Sequence, residues 1–191
     1  MSTVAIIPAR GNSRRIPGKN IKIFHGKPII AYSINAAIDS KIFDRVIVST
    51  DSEEIAKVAR QYGAEVIMRS EEMSRDEVGT QEVMAHVLKD IECDFAACVY
   101  PCAPMIDIAD LKFAFAMLEN NPVIPYVVPI ATWMRDPGQF YFGLRHAFTD
   151  EESLMWAQLM QIDPARECDI NTMYDWFLAE EMYAELHGIT A

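Results

Sequence analysis

The chain has 191 residues, 51% of them hydrophobic and 24% charged, which is enough apolar material for one domain with a sizeable core. A formal net charge of −11 argues against a nucleic-acid backbone as partner, because such proteins present a broad basic face. The longest apolar runs are strand-sized, so no membrane span is expected, and the chain enters a strand without a targeting signal, which predicts a cytoplasmic protein.

The charge is unevenly spread. Residues 1–38 hold six Lys and Arg and no carboxylate, whereas the rest of the chain sets 11 cations against 28 acids. All six follow one short strand. Val4-Ala-Ile-Ile-Pro-Ala is wholly apolar, the pattern of a strand buried on both faces. It breaks into a loop that mixes glycine, asparagine and serine with Arg10, Arg14, Arg15, Lys19, Lys22 and Lys27. A helix is expected from Pro28, since proline is favoured at a first helical position. Strand, basic loop and helix in succession is how α/β proteins hold phosphates. Gly11 and Gly18 let the backbone approach closely, while amides and cations supply the charge. A Walker loop is excluded because Asn20 stands where Ser or Thr is needed, and the GxGxxG fingerprint of a nicotinamide dehydrogenase is absent.

A second unit follows. Phe43 to Ser49 reads as a strand ending at the turn Ser49-Thr50-Asp51. Ile55, Val58, Ala59 and Tyr62 then mark a helix that Gly63 stops, and Ala64–Met68 reads as a third strand. Two such units predict a parallel sheet with ligand at the carboxyl ends of its strands, which places Arg10 and Asp51 on one edge. The polar loop Arg69–Thr80 precedes a helix bearing Met84, Val87, Leu88 and Ile91, with Thr80 as its candidate cap. Asp94–Tyr100 is a fourth buried strand, and Pro101-Cys102-Ala103-Pro104 a rigid turn. Asp107 caps a helix carrying Ile108, Leu111, Phe115 and Leu118. Val123–Ile130 is a further strand that Pro122, Pro125 and Pro129 make short or place at an edge. Beyond Ala131 the alternation fails. An aromatic strand spans Asp136–Gly143, Thr149-Asp-Glu-Glu152 resembles a capping box, and 156–163 reads as extended. The last helix holds Trp176, Ala179, Tyr183 and Leu186 in register and stops at Gly188. Cys93, Cys98, Cys102 and Cys168 show no CxxC or zinc spacing and read as reduced, mostly buried thiols.

The stretches IIPARGNSRRIPGKNIK, VIVSTDSEEIA, RSEEMSRDEVGT and DINTMYDW, in that order, resemble the acylneuraminate cytidylyltransferase family, and DPGQFYFG is similar to its pseudaminic acid branch. The resemblance implies an α/β fold of three layers, a mostly parallel sheet flanked by helices, as in nucleotide-diphospho-sugar transferases, covering 1–191. It also implies transfer of CMP from CTP to an anionic nonulosonic acid sugar, pseudaminic acid first, with loss of pyrophosphate. By the same resemblance Arg10, Gly11, Asn12, Ser13, Arg14 and Lys19 hold the triphosphate, with Arg10 and Lys19 as the catalytic cations. Asn20, Arg69 and Ser74 face the nucleotide, and Gln139, Phe140 and Tyr141 line the sugar site. For Phe140 and Phe142 a place in the core is an equally open reading.

The family holds Mg²⁺ on two acids spaced D-x-D. Here the positions are Asp169 and Asn171, so the second offers an amide oxygen without charge, and a simple helix-capping role stays open for it. Family members commonly run some tens of residues longer, and the shortfall falls between Ile130 and Asp136, where relatives build part of a dimer interface and cover the acyl-sugar. A homodimer is therefore only one expectation. The alternatives are activation of N-acetylneuraminate or another acid sugar, and a catalytically silent nucleotide-binding protein. No general base stands out.

Overall fold

The computed structural model describes residues 1–121 and 123–189. Strand β1 (Thr3–Pro8) is buried along almost its whole length, with Ala5 and Ile7 facing one hydrophobic core and Val4 and Ile6 the other. It is an interior strand, third of the seven in the sheet. Parallel strands flank it on either side, β4 (Arg45–Thr50) and β6 (Phe95–Val99), and β5 (Glu65–Met68) extends the sheet beyond β4. Beyond β6 come β8 (Phe140–Leu144), β7 (Tyr126–Ile130) and β9 (Gln158–Gln161), giving the order β5-β4-β1-β6-β8-β7-β9. β8 runs antiparallel to both its neighbours, and β9 pairs in parallel with β7. The sheet is thus mostly parallel, as expected.

Helices cover both faces and complete the three layers. α1 (Ile30–Ser40), α2 (Glu53–Gln61) and α4 (Ile108–Glu119) pack Ile30, Ile34, Ile55, Ala59, Leu111 and Leu118 on the face that carries Ile7, Val48, Val99, Phe140 and Phe142. α3 (Thr80–Leu88) and the short α5 (Arg145–Thr149) cover Ile6, Ile47 and Cys98 on the other. A third cluster joins α6 (Met173–His187) to the end of the basic loop, where Trp176 and Tyr183 meet Phe24 and Tyr32 edge to face. No helix among the described residues is long and apolar enough to cross a membrane, and all four cysteines are free thiols.

Several local expectations shift. Pro28 is not the first residue of a helix. It pairs within a small hairpin of β2 (Ile23–Phe24) and β3 (Lys27–Pro28), turned at Gly26 with φ of 88°, and α1 begins at Ile30. Gly79, not Thr80, caps α3, its N–H donating to the Glu82 carboxylate at 2.7 Å. Thr149 ends α5 rather than starting a helix, because its hydroxyl bonds back to the His146 carbonyl at 3.2 Å, and Ser153 caps the next turn instead. β7 is short, as Pro125 and Pro129 imply, yet it is not the edge. Its pairing with β8 stops at Val127, so by Pro129 only β9 lies alongside. Pro122 lies outside the described residues.

Gly143 tests this packing. A Cβ there would lie 2.5 Å from Tyr126 Cδ1 and 2.8 Å from the Pro125 carbonyl oxygen, in the crossing of β7 and β8. Gly143→Ala is expected to cost ~1–3 kcal/mol by overpacking. In thermal unfolding that is a fall of several degrees, at ~2–4 °C per kcal/mol for a chain of this size. An unchanged midpoint would mean that the two strands part without cost.

Candidate active site

The sheet reverses its direction of growth between β1 and β6, since the first two crossovers build outward from β1 through β4 and the chain then returns to its other side. Ligands of open α/β sheets bind outside the carboxyl ends of the strands at such a point. A cleft of about 630 Å³ lies there. The basic loop forms one wall with Arg10, Ser13, Arg14, Arg15, Lys19 and Asn20. The loop after β5 forms a second with Arg69 and Met73 to Asp76, and Tyr100, Pro101 and Cys102 close the floor after β6. Asp136, Gly138, Asp169, Ile170 and Asn171 complete the rim.

The backbone of the loop is held by uncharged and acidic groups of its neighbours. The Ala9 N–H donates to the Ser49 carbonyl at 2.9 Å and the Gly11 N–H to Asp51 Oδ1 at 2.7 Å, so Arg10 and Asp51 do share an edge. Gly11 is required for closeness, since a Cβ there would sit 2.9 Å from Ser52 Cβ. The buried Asn20 amide ties both sides together. Its Nδ2 donates to the Arg10 carbonyl at 2.8 Å and its Oδ1 accepts from the Cys102 thiol at 3.2 Å. Burial pushes that thiol up to about 12, so it stays a protonated donor. Lys19 Nζ reaches across to the Ile170 carbonyl at 2.7 Å, and Arg15 to Asn171 Oδ1 at 2.8 Å.

The electrostatics favour an anion. Arg10 and Arg14 both pair with Asp76, Arg14 at 2.6 Å, so one carboxylate lies where two guanidinium groups converge. Arg69 is more deeply placed. Burial lowers its pKa, Asp51 opposes that shift and Arg10 adds to it, and among the described residues its Nε has no hydrogen-bond partner. A desolvated guanidinium with a free donor is costly without a ligand and strong with one.

Of the residues singled out from the sequence, Arg10, Ser13, Arg14, Lys19, Asn20, Arg69, Ser74, Asp169 and Asn171 come together on this cleft. Gly11 and the exposed Asn12 stand outside its wall. Gln139 and Phe140, expected at a sugar site, also stand outside the wall of this cleft. Phe140 is fully buried on the core face of β8, and Gln139 is buried with its Nε2 donating to the Arg166 carbonyl at 2.9 Å. Period-two alternation sends Tyr141 to the opposite face, where Tyr100 donates to it at 3.3 Å and it donates in turn to Asp136. Asp76, Tyr100 and Asp136 were missed. Their only local signals are an acid within a loop facing the cations, and polar groups at the ends of two strands.

Asn171 turns its Nδ2 towards Asp169 Oδ2 while its Oδ1 accepts from Arg15, so of the pair only Asp169 keeps an oxygen, Oδ1, without a partner among the described residues. Asp169 is exposed and lies against Gly138, where an added Cβ would come 3.0 Å from its Oδ1. Among the described residues no three His, Cys, Asp or Glu side chains group as a metal site.

Residues 4–153 match the sequence profile of a family described as cytidylyltransferase. The chain belongs to that family. Pseudaminic acid cytidylyltransferase of Campylobacter jejuni subsp. jejuni serotype O:23/36 is 31% identical over 228 residues, covering 98% of each chain. N-acylneuraminate cytidylyltransferase of Escherichia coli O18:K1:H7 is 40% identical over 129 residues, 66% of this chain and 30% of its own length. The solved structure of CMP:2-keto-3-deoxy-manno-octonic acid synthetase complexed with CTP superposes with a TM-score of 0.82 at 17% identity, covering 97% of this chain and 100% of that one, and so shares the fold. Membership makes this a nucleotidyl-transferring enzyme whose full-length relative lies in the branch that DPGQFYFG resembles.

In a cytidylyltransferase cleft Asp76 is a competitor for the cations. The pairs it makes are half exposed and worth ~0–1 kcal/mol. Asp76→Asn is therefore expected to tighten binding of inorganic tripolyphosphate by about two- to fivefold in calorimetry. Weaker binding would show that Asp76 instead orients the arginines productively.

Proposed function

We propose that the chain transfers CMP from CTP to an anionic nonulosonic acid sugar, with pseudaminic acid as the first acceptor, and releases pyrophosphate. The observation that carries this reading is the convergence of Arg10, Arg14, Lys19 and the partly buried Arg69, whose Nε has no partner among the described residues, on one cleft whose far rim is Asp169. Arg10, Arg14 and Lys19, with Ser13, hold the triphosphate. Asn20, Arg69 and Ser74 face the rest of the nucleotide. The acceptor's anomeric oxygen attacks the α-phosphorus, the bond from that phosphorus to the bridging oxygen breaks, and pyrophosphate leaves with the electron pair. The acceptor proton passes to the surrounding solvent or base. Charge grows on the phosphoryl oxygens and the leaving group, and Arg10 and Lys19 are fixed beforehand to meet it.

A metal fits this donor set in a restricted way. Mg²⁺ is ordinarily held by one or two carboxylates together with substrate phosphates. Asp169 would be the carboxylate here, and Asn171 would contribute only if its amide turned away from Arg15. When bound, the ion neutralises the triphosphate and polarises the attacked phosphoryl group. As a consumer of CTP the enzyme would work in the cytoplasm.

The alignment with the Campylobacter relative runs over 228 positions, more than the 191 residues of this chain, and we infer that the shortfall falls at 131–135. That stretch is a tight turn closed by Ala131 N–H to Arg135 carbonyl at 2.9 Å, with Trp133 almost fully exposed. Two copies would then pair elsewhere. β9 is an edge strand without charge, and Leu159, Met155 and Trp156 are exposed on or beside it. If it joins two copies, Leu159→Lys converts a dimer to a monomer in sedimentation equilibrium; a wild-type monomer would sink the idea.

A second reading has its own support. The commitment of Asn171 to Asp169 and Arg15, and the shorter chain, favour a protein that binds nucleotide without turnover. Pyrophosphate release from CTP, Mg²⁺ and a panel of acid sugars separates the two. Turnover with at least one acid is expected, abolished by chelation, and reduced ~10²–10³-fold by Arg10→Ala or Lys19→Ala. Normal CTP binding with no release from any acid would favour the silent protein.

A further inference from the structure

The pair Gly138-Gln139 leads into β8, and the strand itself accounts for neither residue. Gly138 has φ of 65°, and the atoms nearest to a Cβ there all belong to Asp169, Oδ1 at 3.0 Å and Cβ and Cγ at 3.1 Å. Gln139 is 2% exposed. Its Nε2 donates to the Arg166 carbonyl at 2.9 Å, and its own carbonyl accepts from the Tyr100 N–H at 2.9 Å. Its Oε1 has no hydrogen-bond partner among the described residues. A buried amide with an unused oxygen is a poor source of stability, and an apolar side chain of the same length would pack as well. Its use here is therefore geometric.

The Arg166 carbonyl lies three residues ahead of Asp169, on a stretch without strand pairing among the described residues. β9 ends at Gln161 and α6 begins at Met173. Side chains tie this stretch at both ends. Upstream, the Arg166 guanidinium pairs with Asp107, the cap of α4, and lies 3.5 Å from Asp110. Downstream, Asp175 accepts from the N–H groups of Asn171 at 2.9 Å and Thr172 at 2.6 Å. Between those ends, the Arg166 carbonyl is held by Gln139 and the Ile170 carbonyl by Lys19 at 2.7 Å. Asp169 itself is exposed, so its place on the rim depends on the backbone beneath it and on Gly138 beside it.

We propose that Gln139 is a positioning residue for Asp169. By holding the Arg166 carbonyl it fixes the 166–169 backbone against Gly138, and so keeps Asp169 Oδ1 open to a divalent cation shared with the nucleotide phosphates. The inference rests on the reading above, in which Asp169 is the carboxylate available to Mg²⁺. It gives the glutamine of DPGQFYFG a role from outside the cleft wall.

Gln139→Met keeps the side chain's length and removes its donor together with the unpartnered oxygen, so the thermal midpoint is expected to stay within ~4 °C of wild type. Calorimetric titration of Mn²⁺ into the CTP-loaded protein, against Mn²⁺ into CTP alone, tests the role without any acceptor. Gln139→Met should weaken Mn²⁺ about tenfold, the low end of what a lost outer contact costs a metal site, and leave metal-free CTP binding within about twofold. Asp169→Ala should also weaken Mn²⁺, and adding Gln139→Met to it should change nothing further, because no carboxylate is left to position. Gln139→Glu differs from wild type only in lacking the donor, and it repeats the test should Gln139→Met fold poorly. The same loss in the Asp169→Ala background, as a general loosening of the site would give, would overturn the role. So would an unchanged Mn²⁺ affinity, or a wild type that holds Mn²⁺ no better than CTP does. A loss that vanishes with Asp169, in a protein that releases pyrophosphate with no acid sugar, would uphold the positioning and remove the transferase reading instead.

Discussion

Everything at the carboxyl edge of this sheet depends on one buried amide. Asn20 holds the start of the basic loop to the turn after β6, accepting from Cys102 and donating to Arg10. A loop carrying this many cations repels itself and must be pinned, yet pinning it through its charges would leave none for a ligand. The protein separates the two tasks. Asn20, Asp51 and the Ser49 carbonyl satisfy the loop's backbone, while most of its guanidinium groups stay on the surface of the cleft. This is also why Asn20 occupies a position that a Walker loop gives to a hydroxyl. Its work is structural closure at the floor, with a side chain long enough to span two strands' ends.

The same separation explains Asp76. Like-charged Arg10 and Arg14 brought close together are unfavourable in the absence of an anion, and a carboxylate from the facing loop relieves them. Because the pairs are half exposed, the relief is small and easily exchanged for a polyphosphate. Arg69 has only the nearby charge of Asp51 to offset its burial, and its Nε has no partner among the described residues. It is kept partly desolvated with a free donor, so it contributes little to the empty protein and much to a bound one.

What the sequence disclosed follows from which interactions are local. β1, β4 and β6 are short apolar runs bounded by turn residues, and their parallel pairing follows from the intervening helices, so both the sheet and the edge that holds Arg10 and Asp51 could be read directly. The charge asymmetry pointed to the basic loop that lines the cleft. Phe140 and Gln139 could not be assigned, because β8 carries apolar or aromatic side chains on both faces and alternation alone does not say which face is the core. Thr149 misled for a different reason: a hydroxyl three residues ahead of an acid also suits the end of a helix, bonding backwards to His146. The pairing of Arg10 with Asp76 spans 66 residues, and the chain from Tyr100 to Asp136 joins separate elements, so no local pattern announces either.

The two halves of the site also differ in how they are built. The nucleotide side rests on β1, β4 and the loop after β5, elements locked to each other by backbone pairing and fixed before any ligand arrives. The side proposed for the acceptor rests on β8, an antiparallel strand inserted between β6 and β7, whose register decides which aromatic groups face outward. A slip of one residue there would exchange Tyr141 for Phe142 and put an apolar ring where the hydroxyl chain begins. Gly143 prevents that slip, since only a glycine fits against Tyr126 and the Pro125 carbonyl. The outward position of Tyr141 beside Asp136 is therefore tied to packing on the far side of the strand, and Gly143, Tyr126 and Pro125 do not line the cleft.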